Sequence, residues 1–173
     1  MAIKIAITGA QGVGKTTLAK QLQETTGHAL LPEAARILIA KGHKMDKHVS
    51  IATEMELLSC QKELELTKGS WIADRCFVDL LAYTIVLFPN HTNMHDQIRE
   101  ELAKAEYDVI LYIPPEFTIE DDGVRSTDSK FRYAIDRNIR KILRKSSYEH
   151  YEITGNPSLR LRKAVEIIGK VVQ

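Results

Sequence analysis

The sequence predicts an α/β fold: a five-stranded parallel sheet with helices on both faces. Three observations predict it. Short apolar stretches lack the polar alternation of strands that face water on one side. Segments with a helical spacing of apolar residues separate them. The first stretch, AIKIAIT (2–8), runs straight into a glycine-rich turn and then a helix.

Residues 2–8 form the first strand. Leu18 and Leu22 give residues 16–25 a helical period, and Gly27 follows as a stop. HALLP (28–32) is the second strand, and residues 33–41 form a helix closed by Gly42. Residues 50–68 read as a long helix, with Ile51, Met55, Leu58 and Leu66 among its apolar positions and Gly69 closing it. WIAD (71–74) is the third strand. CFVDLLAYTIVLF (76–88) is a very apolar helix stopped by Pro89 and Asn90. A helix at about 94–105 precedes the fourth strand, YDVILYI (107–113), which Pro114 and Pro115 end. Residues 131–145 are helical, HYEIT (150–154) is the last strand, and Pro157 opens a final helix with Asn156 as its cap.

At 173 residues the chain suffices for one well-buried core and is short for two. No repeat, linker or low-complexity tract divides it, so 1–173 reads as one domain. The start, MAIKIAITGAQG, is expected to be a buried strand rather than a leader, and no apolar run reaches the length of a membrane span. Cys60 and Cys76 make neither a metal spacing nor a disulfide framework, and are expected as buried free thiols of a cytoplasmic protein. The net charge of +1 hides an asymmetry: residues 1–122 hold 12 Lys+Arg against 18 Asp+Glu, and residues 123–173 hold 12 against 5. Such a basic C-terminal third attracts anions, whether nucleotide phosphates or a polynucleotide, although solvated helix faces account for part of it.

The turn after the first strand reads GAQGVGKTT (9–17) and fits G-x-x-x-x-G-K-[ST] through Gly9, Gly14, Lys15 and Thr16. Glycines let the backbone curl so that the amides of Gly9, Gln11, Gly12, Val13, Gly14 and Thr17 converge on phosphate oxygens, and the following helix aims its positive end there. Lys15 adds a charge reaching the β- and γ-phosphates, and the Thr16 hydroxyl is placed to ligate Mg²⁺. The expected architecture is therefore a three-layer P-loop NTPase fold with a short lid at about 114–132. The [NT]-K-x-D guanine motif of GTPases is absent, and the chain is too short for the second helical domain of ring ATPases. Transfer of the γ-phosphoryl of ATP to a bound acceptor remains, by analogy of fold.

The third strand ends in Asp74-Arg75. An acid there can hold Mg²⁺ or take a proton from an acceptor hydroxyl, and Arg75 can clamp a phosphate; a surface ion pair is the plainer alternative. DRCFVDLLAY (74–83) resembles the D-R-x-x-x-S/D-x-x-A-Y element of thymidylate kinases and the E-R-S element of deoxynucleoside kinases. LPEAAR (31–36) is similar to the acidic element that follows the second strand in those kinases. DDGVRSTDSKFR (121–132) resembles the D-D-G-[LV]-R segment of the bacterial ribosylnicotinamide kinase domain. Together these resemble a small P-loop kinase/ATPase (AAA_28-like) family that includes that domain, from residue 5 to about 162. The resemblance implies that Lys15 and Thr16 handle phosphate and Mg²⁺, and that Asp74 is the Mg²⁺-linked acid. It also implies that Glu33 is an acceptor-side acid, with Arg36 and Arg75 facing the acceptor. The sequence departs from the ribosylnicotinamide kinases in lacking a serine-rich cradle and in having Asp-Arg-Cys where they have Asp-Thr-Asp. That difference pulls the acceptor toward nucleosides or nucleotides. A glutamate after proline is also a common first-turn helix residue, so Glu33 keeps that reading beside the acceptor one.

IEDDGVRSTDSKFR (119–132) follows the fourth strand, where P-loop kinases close a flap that excludes water. Arg125 and Arg132, and next Arg137, are candidates to stabilise charge on the transferring phosphoryl group, and Asp121 and Asp122 to contact the acceptor. Asn156 and Arg160 are candidates for the adenine side of the donor site, a helix cap and a basic face being the alternative. His91 and His95 are read as loop histidines without a third metal ligand. The leading expectation is an ATP- and Mg²⁺-dependent kinase for a nucleoside, nucleotide or related riboside. Two alternatives stand: phosphorylation of a hydroxyl within DNA or RNA, and a non-kinase ATPase or nucleotide-binding regulator.

Overall fold

A computed structural model describes residues 2–45, 49–116 and 129–171. Strand β1 (Lys4–Thr8) leads through the glycine-rich turn into α1 (Lys15–Thr26), which ends where Gly27 takes a left-handed conformation. β2 (Ala29–Leu31) and α2 (Ala34–Ala40) follow, then α3 (Ile51–Glu65), whose Ser50 cap accepts the Thr53 amide at 3.1 Å. β3 (Trp71–Asp74) runs into α4 (Phe77–Leu87), and α5 (Thr92–Lys104) precedes β4 (Val109–Tyr112). Helix α6 (Ser129–Lys145), β5 (His150–Glu152) and α7 (Pro157–Val171) complete the chain.

All five strands pair in parallel, in the order β2-β3-β1-β4-β5. Every residue of β3 and β4 is buried, because helices cover both faces of the sheet. Helices α1 and α7 pack against each other, while α4 packs against α5 and α6. The core centres on Ile5, Ile7, Ile72, Ile110 and Leu111, none of them solvent-exposed. Each such side chain contributes about 1.5–3 kcal/mol by leaving water. Register sets Ile7 beside Asp74 and Thr8 beside Tyr112, so the carboxyl ends of the central strands meet on one edge.

Several expectations are corrected. The long helix stops at Glu65 rather than at 68, and Leu66 is its largely exposed C-cap. Cys76 is buried, but Cys60 is only half-buried on α3; both are free thiols. His95 is not a loop residue: it is buried within α5, its Nε2 3.0 Å from the Phe88 carbonyl, while His91 caps that helix. Arg137 lies on the exposed side of α6, whereas Arg132 is buried. Among the described residues no helix is long and apolar enough to cross a membrane.

Candidate active site

The glycine-rich turn wraps as its spacing requires. A side chain at Gly9 would place its Cβ 2.5 Å from the Ile113 carbonyl oxygen, so only glycine lets the turn leave β1 against the end of β4. The Gly9 amide donates to Asp79 Oδ1 at 3.3 Å. Lys15 Nζ donates to the carbonyls of Gly9 (2.7 Å) and Ala10 (2.6 Å). Its burial, and then the charge of Arg75, lower its pKa to about 7. On the far side of the turn, the Arg160 guanidinium donates to the Val13 carbonyl at 2.6 Å and to Glu116 at 2.7 Å. In a trans peptide the carbonyl and the next N–H point opposite ways, so this bond turns the Gly14 amide away from Arg160.

Thr16 Oγ1 donates to Asp74 Oδ2 at 2.6 Å, joining the start of α1 to the end of β3. Asp74 Oδ1 is buried and has no hydrogen-bond partner among the described residues. A hydroxyl and a carboxylate with a free oxygen are the hard donors Mg²⁺ takes, so this pair fits the ion the turn implies.

Glu33 stands at the N-terminal cap position of α2, its carbonyl accepting the Arg36 amide at 3.0 Å, but its side chain makes no capping hydrogen bond. Its carboxylate instead accepts from Arg75 Nε at 2.6 Å and Arg36 Nε at 3.0 Å. Burial raises the Glu33 pKa, but the charge and hydrogen bond of Arg75 outweigh it and hold the group at about 2. Arg75 also reaches Asp79 Oδ1 at 3.4 Å and lies 5.1 Å over the Tyr83 ring. Burial works against its charge, but Tyr83, Glu33, Asp79 and Asp74 hold it protonated. It is thus a partly buried hub, its side chain 16% exposed, rather than a surface ion pair. Among the described non-glycine residues, Arg75 alone takes a positive φ, 85°, at the corner between β3 and α4.

One cleft of about 110 Å³ joins these parts; Gly12, Gly14, Lys15, Thr16, Thr17, Glu33, Arg36, Asp74 and Arg75 line it. A narrower slot of about 60 Å³ between Gly14, Thr17, Leu18, Gln21, Pro157 and Arg160 adjoins the same turn. Asn156 lies beside that slot, its Oδ1 accepting the Leu159 amide at 2.9 Å as the cap of α7. Arg132 is buried on α6 next to Phe131, whose ring meets Tyr83 edge-on at 6.0 Å. Arg125, Asp121 and Asp122 lie outside the described residues.

Three participants were given no role from the sequence, although Asp79 and Tyr83 fill fixed positions of the D-R-x-x-x-S/D-x-x-A-Y element. Asp79 receives the Gly9 and Cys76 amides and Arg75, which makes it the brace of the site; its place in that element and its i,i+4 spacing from Arg75 were the available signals. The Tyr83 hydroxyl donates to Gln11 Oε1 at 3.0 Å, while Gln11 Nε2 is buried without a partner among the described residues. Glu116, at the foot of the predicted lid, accepts from both Arg160 and the Gly155 amide.

Comparison with known proteins places this geometry. Two NadR structures share the fold. That of NadR in complex with NR superposes with a TM-score of 0.83 at 18% identity over 98% of this chain and 51% of that one. The chain thus spans about half the length of the NadR chains. Deoxyadenosine kinase from M. mycoides gives 0.70 at 12% identity, over 98% of this chain and 100% of that one. Thymidylate kinase from Ehrlichia chaffeensis gives 0.66 at 17%, over 96% and 98%. At these identities the likeness establishes the fold alone, a five-stranded parallel sheet covered by helices with the phosphate-type turn after its first strand. No curated protein sequence matches the chain. The family model described as an AAA domain matches residues 4–160, and the chain therefore belongs to that family, AAA_28.

Proposed function

We propose that this chain is an ATP- and Mg²⁺-dependent phosphotransferase that moves the γ-phosphoryl of ATP to a hydroxyl of a nucleoside, nucleotide or related riboside. The observation that carries this reading is the single cleft in which the phosphate turn, Asp74 and the Glu33–Arg36–Arg75 group face one another. An ATPase needs only the first two; the partly buried Glu33–Arg75 pair beyond them, with exposed Arg36 beside it, is what an acceptor would require. In this reading, backbone amides of 9–17 and Lys15 cradle the donor phosphates. Thr16 and Asp74 would hold Mg²⁺, which supplies charge neutralisation at the phosphate oxygens. Glu33, kept ionised by Arg75, accepts a hydrogen bond from the acceptor hydroxyl and orients it, a role that asks little basicity when the transition state is loose.

Arg36 and Arg75 carry the acceptor's anionic or polar groups, and Asp121 and Asp122 its remaining hydroxyls. Arg132 and Arg125 stabilise the transferring phosphoryl. The slot by Pro157 takes the donor base beside Asn156, and Arg160 acts there through the Val13 carbonyl. Two free thiols suit a cytoplasmic setting.

ATP consumption across a panel of nucleosides, their monophosphates, nicotinamide riboside and single- and double-stranded DNA tests the proposal. At least one acceptor should raise turnover well above the acceptor-free rate, and Lys15→Ala should abolish it. Equal turnover with and without every acceptor would leave an ATPase and overturn the kinase reading.

A further inference from the structure

The basic surplus of the C-terminal third is absorbed only in part by the cleft. On α6, Arg137, Lys141, Arg144 and Lys145 are exposed and form no ion pair among the described residues. Tyr133, 60% exposed, stands one turn before Arg137. Positions 133, 137, 141 and 144 recur every three or four residues, so they form one row along the helix, about 6 Å apart, with Lys145 at its flank.

An ordinary solvated helix sets acids among such cations, as Glu166 stands with Lys170 on α7 and Asp96 with Arg99 on α5. The sole acid of α6, Asp136, is buried and occupied by Tyr112 (2.5 Å) and Arg140 (3.0 Å). The row therefore holds like charges four residues apart, which repel and are unfavourable for the helix alone. Nor is this an interfacial membrane helix: Tyr133 is the only large apolar side chain among the described residues of α6 that is mostly exposed, leaving no apolar face to insert.

We infer that the outer face of α6 binds a single-stranded nucleic acid, with Arg137, Lys141 and Arg144 on successive phosphates and a base stacked on Tyr133. A periodic row of cations matches a phosphodiester chain, and an exposed ring among them offers the stacking that an unpaired base supplies. The first turn of the helix touches Tyr83 through Phe131, and Tyr83 touches Gln11 of the phosphate turn, so a strand on this row runs toward the cleft. Binding here stands or falls separately from phosphotransfer.

Fluorescence anisotropy of labelled single-stranded DNA, single-stranded RNA and duplex DNA, titrated with the intact protein without ATP, tests it. Affinity for a single strand should fall with salt between about 50 and 200 mM, with a log–log slope of about −2 to −3 for three to four phosphates. Arg137→Glu/Lys141→Glu/Arg144→Glu, with circular dichroism confirming the fold, should weaken binding at least about tenfold and flatten that slope. Should the reversal disrupt the helix, the corresponding glutamine variant serves instead. Tyr133→Ala should weaken single-strand binding about fivefold or more while leaving the slope unchanged. The relative affinities of the DNA and RNA arms identify the sugar. Absence of binding at low salt, or wild-type affinity in either variant, would overturn the inference. So would equal affinity for duplex DNA or for phosphatidylserine vesicles.

Discussion

Burial and the nearby Arg75 bring Lys15 down to about 7 from the ordinary 10.5, so near pH 8 much of it is neutral when folded. Between about pH 7 and 10.5 the unfolded chain holds a proton that the folded chain has released, and this group's contribution makes stability rise with pH there. Phosphate oxygens reverse the balance by favouring the ammonium. Nucleotide binding at pH 8 should therefore take up a proton, visible as a binding enthalpy that changes with the ionisation enthalpy of the buffer. Lys15→Ala should remove that dependence; its persistence would assign the proton to another group. Glu33 runs the other way. With a folded pKa of about 2, its pairing contributes fully above about pH 4.5 and is lost as pH falls toward 2. Glu33→Gln should cost about 2 kcal/mol in urea denaturation at pH 7, with the gap to wild type closing as the pH falls through that window. Lys15 and Thr16 were legible because a phosphate turn needs them at fixed spacing. Asp79 and Tyr83 were legible as positions of the D-R-x-x-x-S/D-x-x-A-Y element but not in their roles, because only the fold turns this acid and this phenol of an apolar helix toward Arg75.

At the level of elements, the tie between α3 and the strand layer is a titrating one. Glu65, in the last turn of α3, accepts from the Tyr107 hydroxyl at 2.7 and 2.8 Å and from Gln61 at 2.7 Å. Burial raises its pKa to about 7, against the pull of those hydrogen bonds and Lys4. The folded chain thus binds a proton here that the unfolded chain has lost above about pH 4.5, so this contribution to stability falls as pH rises through 7. Glu65→Gln should flatten that fall between pH 5 and 8 in thermal melts; an unchanged profile would mean the carboxyl stays ionised. The same tyrosine hydroxyl accepts the Phe77 amide at 3.3 Å, which links this tie to the start of α4 and so to Arg75. Element types were readable because apolar runs and glycine stops mark them. Ends were less so: Leu66 continued the apolar period, yet its side chain faces water once Thr67 and Leu66 close the helix with hydrogen bonds to Leu64 and Glu63.

Across the whole molecule, strand order lay beyond the sequence, since nothing in a short apolar run names its neighbour. Only the assembled order sets β3 beside β1 and so Asp74 beside Thr16. The same holds for Arg160, 147 residues from the Val13 carbonyl it grips. Arg160→Ala should raise the KM for ATP about tenfold or more with a smaller change in kcat, because the phosphate turn loses a brace rather than a reacting group. An unchanged KM would confine Arg160 to the fold of α7. Finally, the two thiols differ in reach: Cys60 is half-buried on α3, while Cys76 is sealed at the cap of α4, between Arg75 and the brace Asp79. A thiol reagent added to the native protein therefore modifies Cys60 first. Cys76 follows only as fast as the corner between β3 and α4 opens, so its labelling rate is a clock for the floor of the cleft, one that a bound nucleotide should slow.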